Sequence, residues 1–253
     1  MNETGRLILQ SLEEVEAERA ARAADAALDA RALGVKAFQQ ARFARTHAGL
    51  LAHARYGPAA RFFLEELYGP RDFSDRDAQF ARIVPALVRM FPHEMVETVS
   101  RLAAVHALSE SLDTEMARRL PPGAALTPAA YVRAWQATGR PEARARQIDL
   151  VMQVGASLDH YTRNPLLRGS LRLMRGPARA AGLSSLQQFL ETGFEAFAAM
   201  KGAAEFLATI EGAERALAER LFEPGAAEAA ETGAADDLLR QLPPSPSTPE
   251  RRQ

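Results

Sequence analysis

The chain has no cysteine among its 253 residues, and that absence removes several chemistries at once. There can be no disulfide framework, zinc finger, thiolate metal site or cysteine nucleophile. β-Branched aliphatics are scarce too, with valine and isoleucine together numbering 14. That shortage disfavours a large sheet and favours helices. No run of 18 apolar residues occurs, so the sequence predicts no transmembrane helix. The opening MNETGRLILQSLEEVEAERA lacks the basic region, apolar stretch and cleavage site of a secretory signal, and the expectation is a cytoplasmic protein. An excess of one charge is lacking as well: 31 basic and 32 acidic residues give a net charge of −1. This argues against wholesale nucleic-acid binding while leaving room for a local basic patch. Also missing are His-Glu-x-x-His, Gly-x-Ser-x-Gly, the P-loop, Gly-x-Gly-x-x-Gly and the paired Glu-x-x-His of diiron proteins.

What the chain has in abundance is alanine, at 51 residues, and arginine, which supplies 29 of the 31 basic side chains. Strong helix propensity over residues 5–33 predicts a charged first helix that Gly34 can end. A second helix is expected over 35–55 and a short aromatic one over 59–68, with Pro58 in its first turn and Gly69-Pro70 after it. Ser74 and Asp77 have the spacing of a capping box, opening a helix to Phe91 that Pro85 should kink. Further helices are expected over 92–120, 127–138, 141–162, 165–175, 186–200 and 203–222. Thr127-Pro128 and Asn164-Pro165 are cap-plus-proline starts, and Ser184 to Gln187 is a second capping box. The expected architecture is all-α: a single helical-bundle-like domain of nine or ten helices. It divides into a charged N-terminal helix over 1–34, a core over 35–222 and a disordered Ala/Glu/Pro-rich tail over 223–253.

Helical projection at about 100° per residue finds titratable groups on apolar faces. In the helix after Pro92, Met95, Val99, Leu102, Val105 and Met116 form the buried stripe, and His106, Glu110 and Asp113 fall within it. In the helix after Pro141, Asp159 falls among Val151, Met152, Gly155 and Leu158, with His160 at the border. An imidazole and carboxylates facing one another across a bundle can hold a metal or form an acid/base pair. The competing reading breaks the first helix near Ser109, leaves His106 as a satisfied core histidine and pairs Asp159 with an arginine.

Between Asp159 and Glu191 there is no acid and there are five arginines, Arg163, Arg168, Arg172, Arg175 and Arg179. Arg168, Arg172 and Arg175 form one helical stripe opposite Leu166, Leu167, Leu171, Leu173 and Met174. Such a stripe suits phosphate, a carboxylate ligand, RNA, an anionic membrane surface or a protein partner. It also suits internal pairing with the acidic N-terminal helix or the Glu-rich C-terminal region, where residues 191–253 hold 12 acids and 6 bases. The lack of interleaved aromatics weakens the nucleic-acid reading.

The most distinctive stretch is Phe62-Phe63-Leu64-Glu65-Glu66-Leu67-Tyr68-Gly69-Pro70. Its helix is apolar nearly all round and should be central, with Glu66 projecting between Phe62 and Phe63. A glutamate so placed is either a general acid of raised pKa or half of a Glu–Arg pair with Arg71 or Arg76. The stretch FFLEELYGPRDFSDRDAQFARIVPALVRMFP at 62–92 resembles an uncharacterised bacterial family known as FFLEELY-motif proteins, and so does LLRGSLRLMRGPARAAGLSSLQQFLETGFEAFAAM at 166–200. The similarity spans about 35–215 and implies a helical fold in bacteria, with no activity, cofactor or catalytic residue attached to it.

Three functional expectations follow from these residues. One is a non-enzymatic helical protein that binds a protein partner or an anionic ligand through Arg168, Arg172 and Arg175. Another is a metal- or acid/base-dependent enzyme carried by His106, Glu110, Asp113 and Asp159, with His160 beside them. A third places haem or another apolar cofactor against Phe62, Phe63 and a histidine.

Overall fold

Asp25 divides what composition alone reads as one long helix. Its carboxylate accepts hydrogen bonds from the Ala27 and Leu28 amides, ending α1 (Glu3–Ala23) and starting α2 (Ala26–Thr46). Gly34, the expected stop, lies inside α2. The computed structural model describes residues 2–67 (Leu67 by its backbone), 69–123, 125–233 and 235–245. Next come α3 (Ala48–Ala52), α4 (Gly57–Phe62) with Pro58 in its first turn, and a π turn at Phe63–Leu67. After it come α5 (Ser74–Met90), which runs on through Pro85, and α6 (His93–Arg119). The chain continues with α7 (Pro128–Thr138), α8 (Pro141–Thr162), α9 (Pro165–Leu173) and α10 (Arg175–Ala180). It closes with α11 (Ser184–Met200), α12 (Ala204–Phe222), α13 (Ala226–Thr232) and a 3₁₀ turn at Leu239–Gln241. The fold is all-α among the described residues, and more finely divided than nine or ten helices.

The cap-plus-proline starts hold. Thr127 accepts from the Ala130 amide ahead of Pro128, and Asn164 accepts from the Leu166 amide around Pro165. Neither capping box forms. Phe73 and Leu183 stand at the two N-caps without a side-chain bond, because the residues expected to complete the boxes have stronger partners elsewhere. Asp77 turns inward to Arg19 and His106, while Gln187 donates to the Leu171 carbonyl and to Glu191.

Helix α6 is the hub, with α1, α2, α7 and α8 packed against it. The N-terminal helix is part of this body, since Ile8, Leu12 and Val15 are buried, the first two beside Val84 and Val96. The C-terminal region differs from the disordered tail expected from residue 223. Ala226, Ala227, Leu239 and Leu242 are buried against Trp135, Leu217 and Leu221. Two spaced leucines and a short alanine helix were enough apolar surface to cover one flank of α7 and α12. Residues 246–253 lie outside the described residues.

Helices α2 and α12 are joined by a buried ionic cluster. Glu214 receives Arg42, and the His47 Nε2 lies 2.9 Å from the same carboxylate oxygen. Burial alone would raise the Glu214 pKa, but Arg42 and His47 outweigh it and hold it at about 2.

Two outcomes follow. Replacing Leu239 with alanine lowers the unfolding free energy by about 2–5 kcal/mol, read from the urea midpoint, whereas a tail in random coil leaves the midpoint unchanged. For Glu214, the folded pKa lies below the ordinary value of about 4.3, so its stabilisation is complete above that value and is lost as pH falls toward 2. Thermal melts across this window fall more steeply in the wild type than in Glu214→Gln; parallel curves show that the cluster carries no acid sensitivity.

Candidate functional site

Helix α6 continues unbroken through Ser109, whose hydroxyl donates back to the Val105 carbonyl at 2.7 Å. His106, Glu110 and Asp113 therefore keep their common face, and all three line a cavity of about 130 Å3 among α2, α5, α6 and α8. Each meets a partner from another helix. His106 Nε2 is 2.8 Å from Asp77 Oδ2 on α5, and that oxygen also accepts from Arg19 of α1 at 2.6 Å. Glu110 accepts from Arg22 of α1 at 2.6 Å and from Lys36 of α2 at 2.5 Å. Asp113 accepts from Gln39 of α2 at 2.9 Å. The periodicity of α6 carries no sign of the cationic side of this cavity, which comes from the two N-terminal helices. Arg19 and Arg22, three residues apart, were the signal available for it.

The three carboxylates are electrostatically distinct. Burial pushes each upward. At Asp77 the His106 and Arg19 contacts outweigh burial, and at Glu110 the Lys36 and Arg22 charges do so; both pKa values fall below the usual carboxylate range. At Asp113 burial wins over the more distant Lys36 and Arg144 charges, and its pKa is raised. One small cavity thus holds firmly ionised carboxylates beside one inclined to keep its proton, an environment able to accept and to donate hydrogen bonds.

A second cavity, of about 330 Å3, abuts the first. Its walls are almost wholly apolar and come from α5, α6, α8, α9, α11 and the start of the π turn. Val99, Leu102, Val105, Val151, Phe189 and Leu190 line both cavities. The aromatic motif stands at the same junction. Phe62 and Phe63 are buried walls of the apolar chamber, while Glu66 lines the polar cavity and pairs with Arg71 at 3.1 Å and Arg76 at 3.5 Å. Of the two readings of Glu66, the geometry is that of the Glu–Arg pair. Glu65 is exposed, and Tyr68 lies outside the described residues. The Phe62 ring reaches α11 only because residue 193 is glycine, where a Cβ would come within 2.8 Å of it.

Asp159 does not join this site. It accepts from Arg163 at 2.5 Å and from the Ala203 amide at 2.9 Å, and His160 is exposed beside Tyr161. The helical projection gave Asp159 the right angle and the wrong height. It lies eight residues beyond Val151, about 12 Å along α8. Among the described residues, no group of three or more His, Asp or Glu side chains is placed to hold a metal ion. The apolar chamber has the phenylalanine walls expected of an apolar cofactor site, yet no histidine lines it. Arg168 and Arg172 pair with Glu195 at 3.8 and 3.0 Å, and Arg175 pairs with Glu191 at 2.6 Å, all three arginines being about half exposed.

The raised pKa of Asp113 gives its contribution the opposite sign to that of Glu214. A carboxyl that holds its proton more tightly when folded costs stability once pH rises through its folded pKa. Asp113→Asn keeps the acceptor for Gln39 and removes the buried charge. It raises stability by about 1 kcal/mol at neutral pH, an advantage that disappears below the unfolded value of about 3.9. Equal melting temperatures at neutral pH would show that Asp113 is solvated by the cavity.

No helix among the described residues is long and apolar enough to cross a membrane. No curated protein and no solved structure matches the chain. A family model does match, over residues 18–228, from the last turns of α1 into α13 and across both cavities. The chain belongs to that family, described as a domain of unknown function (DUF8198).

Proposed function

We propose that this chain is a binding protein for an amphiphile, which lays an apolar chain in the 330 Å3 chamber and turns a polar head toward Asp113 and Gln39. The observation that carries this reading is the shared wall: six side chains border both an apolar chamber and a cavity rich in hydrogen-bonding groups. The chamber volume lies within the range of small-molecule sites. Its almost wholly apolar walls meet water when the chamber holds no ligand, which is an unfavourable exposure. A bound chain relieves much of that exposure.

The head group is best uncharged. Asp77, Glu66 and Glu110 already have cationic partners, so the polar end offers Asp113, Gln39 and Gln147 as hydrogen-bonding groups. An alcohol, ester or amide meets them without a second buried charge, whereas a carboxylate would face Asp113 and Glu110. A cytoplasmic, bacterial setting and membership of the FFLEELY-motif proteins belong to the same reading. A second reading makes the polar cavity a reaction site, with His106 held by Asp77 and Asp113 as proton donor; it draws on the His–Asp contact at 2.8 Å.

Diphenylhexatriene, dark in water and fluorescent in apolar surroundings, tests the proposal in detergent-free buffer. Saturable binding at one equivalent is expected, with displacement by hexadecanol stronger than by hexadecanoate at neutral pH. Val99→Trp, at the junction of the cavities, weakens binding at least about tenfold while helical circular dichroism is retained. Unchanged affinity in that variant would remove the proposal. Hexadecanol and its esters recovered chemically unaltered after incubation would remove the reaction-site reading alone.

A further inference from the structure

Eight large hydrophobic side chains among the described residues are exposed, and they are not scattered. Phe91, Met174 and Leu190 line the mouth of the apolar chamber. Met90 and Leu173 adjoin two of these in the chain, and Leu166 precedes Leu167, itself a wall of the chamber. Only Leu7 and Leu33 lie elsewhere in the sequence. Helix α9 contributes no buried residue; Leu167 and Leu171 face the chamber while Leu166 and Leu173 stand 77 % and 81 % exposed. A greasy rim around the entrance of a greasy chamber is unusual on a surface that faces only water.

The charge beside this rim is basic. Arg163, Arg168, Arg172, Arg175 and Arg179 lie in α9, α10 and the flanking turn, and no acid occurs between Asp159 and Glu191. Three carboxylates answer them: Asp159 pairs with Arg163, Glu191 with Arg175, and Glu195 with both Arg168 and Arg172. Five cations against three anions leave an excess of two. Arg168 and Arg172 share the half-exposed Glu195 at 3.8 and 3.0 Å, a weak arrangement, so these two arginines can take up a lipid phosphate at little cost.

We infer that this rim docks on an anionic membrane surface, with Leu166, Leu173, Met90 and Phe91 entering the interface and the α9–α10 arginines meeting lipid phosphates. Amphipathic helices with leucine on one face and arginine on the other bind membranes through this combination of apolar burial and charge. A second copy of the chain is a poorer occupant, because a two-fold contact over this rim brings two regions of the same basic excess together. The inference deepens the amphiphile reading by naming where the ligand enters, while the docking itself stands on the rim alone.

Flotation of the full chain with vesicles decides it. Vesicles of phosphatidylcholine mixed with phosphatidylglycerol should bind at least about tenfold more tightly than phosphatidylcholine alone, and added salt should weaken the binding. L166Q/L173Q replaces side chains that are largely in water and should lose about tenfold or more in vesicle affinity. Equal binding to both vesicle types, binding to neither, or wild-type binding by the double variant overturns the inference. A wild-type dimer by sedimentation that L166Q/L173Q converts to a monomer, without vesicle binding, assigns the rim to self-association instead. Diphenylhexatriene titration without vesicles separates the two proposals: intact dye binding with failed flotation removes the membrane and keeps the chamber, and the reverse removes the chamber and keeps the rim.

Discussion

Glu110 is where three helices are tied together. Its two oxygens take Arg22 from α1 and Lys36 from α2, and Arg22 also donates to Thr114 one turn further along α6. Taking these charges out of water is costly, and a carboxylate with a single cation would not recover that cost. The arrangement repays it only when α1, α2 and α6 sit at one mutual height and rotation. That requirement explains why the break at Asp25 matters: it folds α1 back against α6 so that Arg19 and Arg22 arrive from one side while Lys36 and Gln39 arrive from another. The polar cavity is the space these converging side chains enclose.

The π turn at Phe63–Leu67 does the complementary work on the apolar side. A wider turn in place of a continued α-helix changes which way successive side chains point. Phe62 and Phe63 go into the apolar chamber and Glu66 goes to the polar one, three side chains serving two environments. Gln40 of α2 holds this geometry by donating to the Leu64 carbonyl at 3.0 Å. Arg76, one of the two arginines paired with Glu66, also lies over the rings of Phe73 and Phe189, so the boundary between the chambers is itself a cation–π stack.

Part of this arrangement was legible in the amino-acid sequence. The α6 face with His106, Glu110 and Asp113 could be read because a helical projection fixes angle, and the proline starts could be read because Thr127 and Asn164 cap without competition. The capping boxes at Ser74 and Ser184 failed for the converse reason. Asp77 and Gln187 had tertiary partners that a local pattern does not contain. Asp159 failed because angle says nothing about height. The apolar chamber had no signal of its own: Val99, Leu102 and Leu171 obey the same periodicity whether they line a cavity or fill a core.

The near-zero net charge is the other quantity whose meaning changes with the fold. Internal pairing and an exposed basic face stood as alternatives for the arginines, and the structure contains both conditions in different places. Arg19, Arg22 and Arg42 are largely withdrawn from solvent beside carboxylates, where removing one partner strands the other. Arg168 and Arg172 also have a carboxylate partner, the half-exposed Glu195, yet they remain about half in water, where such pairs add little stability and exchange readily. Burial therefore sorts one residue type into two roles. The inner arginines fix the positions of the helices around the cavities, and the outer ones are free to trade a glutamate for another anion beside the rim of the apolar chamber.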